Sequence, residues 1–337
     1  MTLSAAELHA DSIVIDATSF FCEGWNPRLE TAGVTALQMT MPHPGDDARA
    51  GIRRIEGYYQ LVARDERLVI PERVEDIRAA KDAGQVALIV GAQDACVFED
   101  DLGLVEVFWR LGMRAVQLTY NPRNLLGDGC LEPDNAGLSR LGRAMIEEIN
   151  RVGIQLDLSH VGHRTSMEAI EASSKPVIFS HSNPQSRAPS PRNITDELIK
   201  ACAERGGVIG CTPFAPANWT GGEQPPDLKS FVGHVEYVAD LVGVDHVAFG
   251  TDSEATPGAY PVELRAQLAV SYPESSAAFK EAHPDVARSI GLESMEDVPA
   301  VPGALLERGW DEGDVRKFLG ENLLRVYAEN WESSEVG

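Results

Sequence analysis

Ile154-Gln155-Leu156-Asp157-Leu158-Ser159-His160 and Pro176-Val177-Ile178-Phe179-Ser180-His181 are two apolar runs, each closed by Ser-His. Continuous apolar character, without strict alternation, is what a strand buried on both faces requires. A helix-length segment separates the runs, so together they read as two parallel strands of one sheet. Parallel strands joined by helices expose their carboxyl ends on one rim, where such enzymes place their chemistry. The two imidazoles are therefore expected side by side at that rim.

Six further stretches have the same character: Ser12–Asp16, Val34–Thr40, Gln85–Gly91, Ala115–Tyr120, Gly207–Thr212 and His246–Asp252. Helical patterns lie between them. Leu138, Leu141, Met145, Ile146, Ile149 and Val152 line one face of a helix that Gly153 stops. Similar patterns cover Leu102–Leu111, Arg164–Ser173 and Thr195–Arg205. Eight alternations of strand and helix predict an α/β protein of the (β/α)8 TIM-barrel type, with residues 1–337 as a single domain. Residues at about 256–304 are rich in Pro, Ser and acidic side chains and predict an irregular excursion over the barrel mouth. A helix is expected at about 312–329.

Composition narrows the partners. A net charge of -23 argues against nucleic acid or an anionic membrane. No apolar stretch approaches the roughly 18 residues of a membrane span, and the N-terminal residues lack a basic and apolar leader pattern, so a cytoplasmic location is expected. The five cysteines are scattered without a CxxC pair, which argues against a disulfide framework or a zinc ribbon.

The expected strand ends bring Asp16 to Phe20, Thr40, Gln93 with Asp94, Tyr120 with Asn121, His160, His181, Thr212 and Asp252 toward one pocket. Two imidazoles and a carboxylate form a ligand set for a catalytic zinc. Alternatively, Asp252 takes a proton from a metal-activated water. A single histidine beside an apolar run is usually a hydrogen-bonded core residue, but two on neighbouring strands, with Asp252 ending the eighth, favour a site. His163 and His246 begin elements and read as structural; His9, His43, His234 and His283 have no supporting context. Arg192, in the loop Ser190-Pro191-Arg192-Asn193, can grip a substrate carboxylate or neutralise acidic neighbours, and Asn193 or Thr195 can cap the next helix.

These stretches, together with Ile13-Val14-Ile15-Asp16, Phe249-Gly250-Thr251-Asp252 and Gly320-Glu321-Asn322-Leu323-Leu324-Arg325-Val326, resemble the membrane dipeptidase (renal dipeptidase, peptidase M19) family of amidohydrolase-like barrels. The resemblance implies a metal-dependent hydrolase of dipeptides with two zinc ions. It places His160 and His181 on the second ion, Arg192 on the substrate carboxylate, Asp252 at the metal-bound water, and Tyr120 and Asn121 near the substrate.

Three positions depart from the family. Thr18 and Phe20 stand where its His-x-Asp supplies ligands of the first ion, and Gln93 replaces its bridging glutamate. Losing that charge removes what would hold two dications together. The expectation is thus a divergent, dipeptidase-like hydrolase with one zinc ion or none, held by His160, His181 and more weakly Gln93. Cys22, Glu23, Asp94 or Asp252 are candidates to complete the set. The alternatives are metal-free or lyase-type chemistry, or a non-catalytic ligand-binding relative. The expected partner is a small carboxylate-bearing molecule, and a homodimer is compatible with the chain.

Overall fold

The computed structural model describes residues 3–259, 277–334 and 336. Its strands are β1 (Ile15–Phe20), β2 (Ala36–Thr40), β3 (Leu68–Val69), β4 (Val86–Ala92), β5 (Met113–Gln117), β6 (Gln155–Asp157), β7 (Ile178–Phe179), β8 (Val208–Cys211), β9 (Val247–Phe249) and β10 (Ser253–Glu254). All pair in parallel, in the order β10-β1-β2-β4-β5-β6-β7-β8-β9, with β3 beside the start of β4. β9 pairs with β8, while its continuation β10 pairs with β1 at Ser19 and Phe20. Asp252 N–H also donates to the Thr18 carbonyl. One short segment therefore joins both edges, and the sheet curls into a barrel ringed by helices.

The helix expected before β6 runs Arg140–Val152. Ser139 accepts from the Gly142 amide at its start, and Gly153 adopts φ 83° at its end, a left-handed conformation that suits glycine. Thr195, rather than Asn193, caps Asp196–Glu204. The first strand begins later than expected and reaches Phe20, because Ser12 instead terminates a helix at Ala5–Asp11. The polar Thr18 and Ser19 hide this extension from a hydrophobicity pattern. The C-terminal helix is three joined pieces: Glu312–Arg316, a π-helical turn Lys317–Glu321, and Asn322–Trp331. Much of the expected excursion, residues 260–276, lies outside the described residues. The rest includes helices Ala277–Ala282 and Ala300–Leu306, so it is more regular than its composition suggests.

Barrel-interior residues Ile15, Ala17, Ala36, Ala87, Ile89, Ile178, Val208 and Ala248 form one apolar cluster with Leu323, Leu324, Val326, Tyr327 and Trp331. The C-terminal helix therefore plugs one end of the barrel. Tyr327 Oη donates to Gln38 Oε1 at 2.9 Å, and Trp331 Nε1 donates to the Arg114 carbonyl at 3.0 Å near the start of β5. Burying each ring stabilises the plug by roughly 2–3 kcal/mol. The strands' carboxyl ends lie at the other end, which is left for the site.

Candidate active site

At the ends of β6 and β7, His160 Nε2 and His181 Nε2 lie 2.8 Å apart. The rest of each ring is fixed from behind. His160 Nδ1 lies 2.8 Å from Asn121 Oδ1, an acceptor, so it carries the proton. His181 Nδ1 lies 2.7 Å from Ser180 Oγ and 3.0 Å from Thr18 Oγ1. Ser180 Oγ donates to Asp157 Oδ2 at 2.5 Å, and Thr18 Oγ1 donates to the Ala17 carbonyl at 2.6 Å. Both hydroxyl protons are thus committed, and both oxygens can only accept from His181 Nδ1. Each imidazole consequently presents a bare lone pair at Nε2, and the two lone pairs face each other.

Burial, then Arg192, holds both histidines well below the usual range, so neither ring carries a second proton near neutrality. Two facing lone pairs repel unless a cation lies between them. A histidine with one nitrogen pinned and the other bare is the usual form of a metal ligand. The pair therefore fits one ion.

A two-ion centre does not fit. Thr18 is hydrogen-bonded to His181, Phe20 offers no donor, and buried Gln93 presents an unpartnered amide nitrogen rather than a carboxylate. Among the described residues, no group of three or more His, Cys, Asp or Glu is arranged to hold a metal. Cys22 is turned to the Gly24 carbonyl with its thiol pushed up to about 11 by burial, and Glu23 is exposed. Asp94 caps the turn Ala95–Phe98 and accepts from Asn124 Nδ2 at 2.9 Å. None of these three completes a ligand set as placed.

The remaining expected residues gather around the pair. Tyr120 stacks on His160 with ring centroids 4.1 Å apart. Arg192 is buried, its Nη2 donating to the His181 carbonyl at 3.4 Å, and its Nη1 has no partner among the described residues. Asp252 is half-buried by surface exposure; desolvation of its carboxyl raises its pKa, while the Arg288 and Arg192 charges oppose the rise. A cavity of about 210 Å³ is lined by Phe20, Phe21, Thr40, His43, Gln93 and Tyr120, with Pro44, Phe214, Asp252 and Arg288 completing the wall.

His43, Phe214 and Arg288 were not expected here. His43, set aside on the sequence, sits at the mouth with its ring 4.8 Å from that of Phe21. Arg288 comes from the 256–304 stretch and donates to the carbonyls of Thr251, at 2.8 Å, and Asp252. Five non-glycine residues among those described have positive φ, and four of them (Phe21, Asn121, His160 and Asp252) are at this site. Left-handed backbone costs a non-glycine residue roughly 1 kcal/mol or more, and such strain concentrates at functional sites.

A parallel barrel with a facing histidine pair, a half-buried acid and a buried arginine at its open end defines a hydrolase-type barrel of the amidohydrolase-like class. The chain belongs to the membrane dipeptidase family (peptidase family M19), whose model matches residues 5–267. An amidohydrolase from Pseudomonas aeruginosa is 37% identical with a TM-score of 0.89, over 98% of this chain and 100% of that one. A metallo peptidase from Rhodobacter sphaeroides, liganded with a phosphinate mimic of L-Ala-D-Ala, shares the fold at 20% identity and a TM-score of 0.77, over 95% of this chain and 100% of that one. Dipeptidase tcpJ of Claviceps purpurea (strain 20.1) is 29% identical over 268 residues, 78% of this chain and 56% of that protein. This chain therefore spans little more than half of that relative's length. No helix among the described residues is long and apolar enough to cross a membrane.

Proposed function

We propose that this chain is a dipeptidase-like hydrolase that cleaves an amide or related bond in a small carboxylate-bearing molecule, using one divalent ion held by His160 and His181. The facing bare nitrogens of that pair, 2.8 Å apart, carry the reading. When bound, the ion polarises the scissile carbonyl and makes a water acidic enough to attack near neutral pH. Arg192 takes the substrate carboxylate, since its buried Nη1 lacks a partner among the described residues. Asp252 accepts the proton of the attacking water and returns it to the leaving amine; its raised pKa brings it closer to the working range of such a group. Asn121 holds the His160 ring in its ligating tautomer, and Tyr120 forms the wall beside it.

The test is elemental analysis of zinc-loaded protein together with turnover of a panel of dipeptides and N-acyl amino acids. About one zinc per chain, lost in His160→Ala, and turnover abolished in Asp252→Asn are expected. No bound metal at saturating zinc overturns the single-ion reading. Turnover that survives exhaustive chelation points instead to chemistry carried by the acid alone.

A further inference from the structure

The cavity beside the histidine pair contains two polar groups that nothing among the described residues satisfies. Gln93 Nε2 and Thr40 Oγ1 are buried without partners among the described residues, and both side chains are more than nine-tenths buried. Both residues line the cavity shared with Phe20, Phe21, Tyr120 and Phe214. Leaving such groups unpaired is costly, so a resident ligand should supply the missing partners. A primary amide nitrogen can only donate. Gln93 therefore asks for an acceptor oxygen, and the Thr40 hydroxyl can serve the same one or another.

The walls define the rest of that ligand. About 210 Å³ exceeds the roughly 150 Å³ cavity that takes benzene, leaving room for a ring and a carbonyl. The charge balance disfavours an ammonium group. Among the described residues Asp252 is the one carboxylate lining the cavity, and its charge is opposed by Arg288 and Arg192. Aromatic faces attract cations, but this wall already carries the Arg288 guanidinium, 5.9 Å from the Phe214 ring centroid. His43 adds no charge, because burial pushes it down to about 4.

We infer that this cavity takes the acyl group of an N-acylated amino acid, with an apolar ring among the phenyl side chains and a carbonyl oxygen on the Gln93 amide. It does not take the free α-ammonium end of a dipeptide. The inference rests on the hydrolase reading above and names its substrate.

The probe is a matched pair, phenylacetylglycine and phenylglycylglycine, which differ by one α-amino group. Each is titrated calorimetrically into the full chain, both zinc-loaded and zinc-free. The acylated ligand should bind about tenfold more tightly or better, because both offer Gln93 the same carbonyl and only the dipeptide must bury an α-ammonium among the phenyl rings beside the Arg288 guanidinium. Gln93→Glu should weaken phenylacetylglycine and strengthen phenylglycylglycine. Equal binding by the unaltered protein, or preference for the amine, overturns the inference whether or not the variant folds. Preferential binding without turnover keeps the subsite and removes the hydrolase; turnover with no preference removes the subsite alone.

Discussion

His160 and Asn121 are joined at 2.8 Å between Nδ1 and Oδ1, and both residues hold left-handed backbone, at φ 68° and 58°. The contact decides which nitrogen of His160 is bare. The same Asn121 oxygen accepts from Cys130 Sγ at 3.1 Å, so its orientation is fixed from two sides.

Asn121→Leu leaves the ring in place and removes the acceptor. Zinc affinity should fall by roughly 10–100-fold, the usual consequence of losing a ligand's supporting partner. Competition with a chromophoric chelator measures this directly. An unchanged affinity would show that packing against Tyr120 orients the ring instead.

In the proposed role Arg192 would supply geometry as well as charge. Arg192→Ala should raise KM for a carboxylate substrate by about 30-fold or more, as losing one member of a buried charge pair costs roughly 2–5 kcal/mol. Arg192→Lys should recover little, because an ammonium lacks the planar fork. The same substrate with its carboxylate converted to an amide is the control. If both substrates suffer equally in Arg192→Ala, the residue supports the fold and does not hold the substrate.

Asp16 gives a pH-dependent stability. Its Oδ1 accepts from the Thr251 and Thr18 amides and its Oδ2 from the Thr251 hydroxyl, yet burial raises its pKa from the ordinary 3.8 to about 7. The folded protein thus holds this proton more tightly than the unfolded chain. The resulting stabilisation is complete below about pH 4 and is lost as the pH rises through about 7, on the order of 4 kcal/mol in all. Denaturant midpoints measured from pH 4 to 8 should fall along this window in the natural protein and be flatter in Asp16→Asn. Identical slopes would mean that the three donors keep Asp16 ionised.

Gly210 lies on β8 with no room for a side chain: a Cβ there would come within 2.0 Å of the Ser180 carbonyl oxygen. Gly210→Ala must displace the backbone that carries His181, costing about 1–3 kcal/mol by overpacking. Its thermal midpoint should drop, and zinc affinity should drop with it. A lower midpoint with unaltered affinity would show that the histidine pair moves as a rigid unit.

The sequence made the barrel and its histidine pair legible because apolar runs with helical spacers survive as local patterns. The runs ending in His160, His181 and Asp252 all lead to the site. Other features had no local signal. Thr18 and Ser19 are polar, so β1 looked shorter than it is. His43, Phe214 and Arg288 reach the cavity from loops whose paths no periodicity describes. The tautomers of the two histidines depend on Asn121, Thr18 and Ser180, and only the folded arrangement relates all three to the rings.

Asp157 joins the two histidine-bearing strands. One of its oxygens accepts from the Ser159 and Ser180 amides, each at 3.0 Å, and the other from Ser180 Oγ and Gln117 Nε2. The three replaced positions, Thr18, Phe20 and Gln93, belong to β1 and the loop after β4, outside this clasp. The site is therefore divided into a locked half and an open one. Asp157 thereby sets the spacing of the strands that carry His160 and His181 without help from Phe20 or Gln93, whereas Thr18 still reaches across to His181 Nδ1.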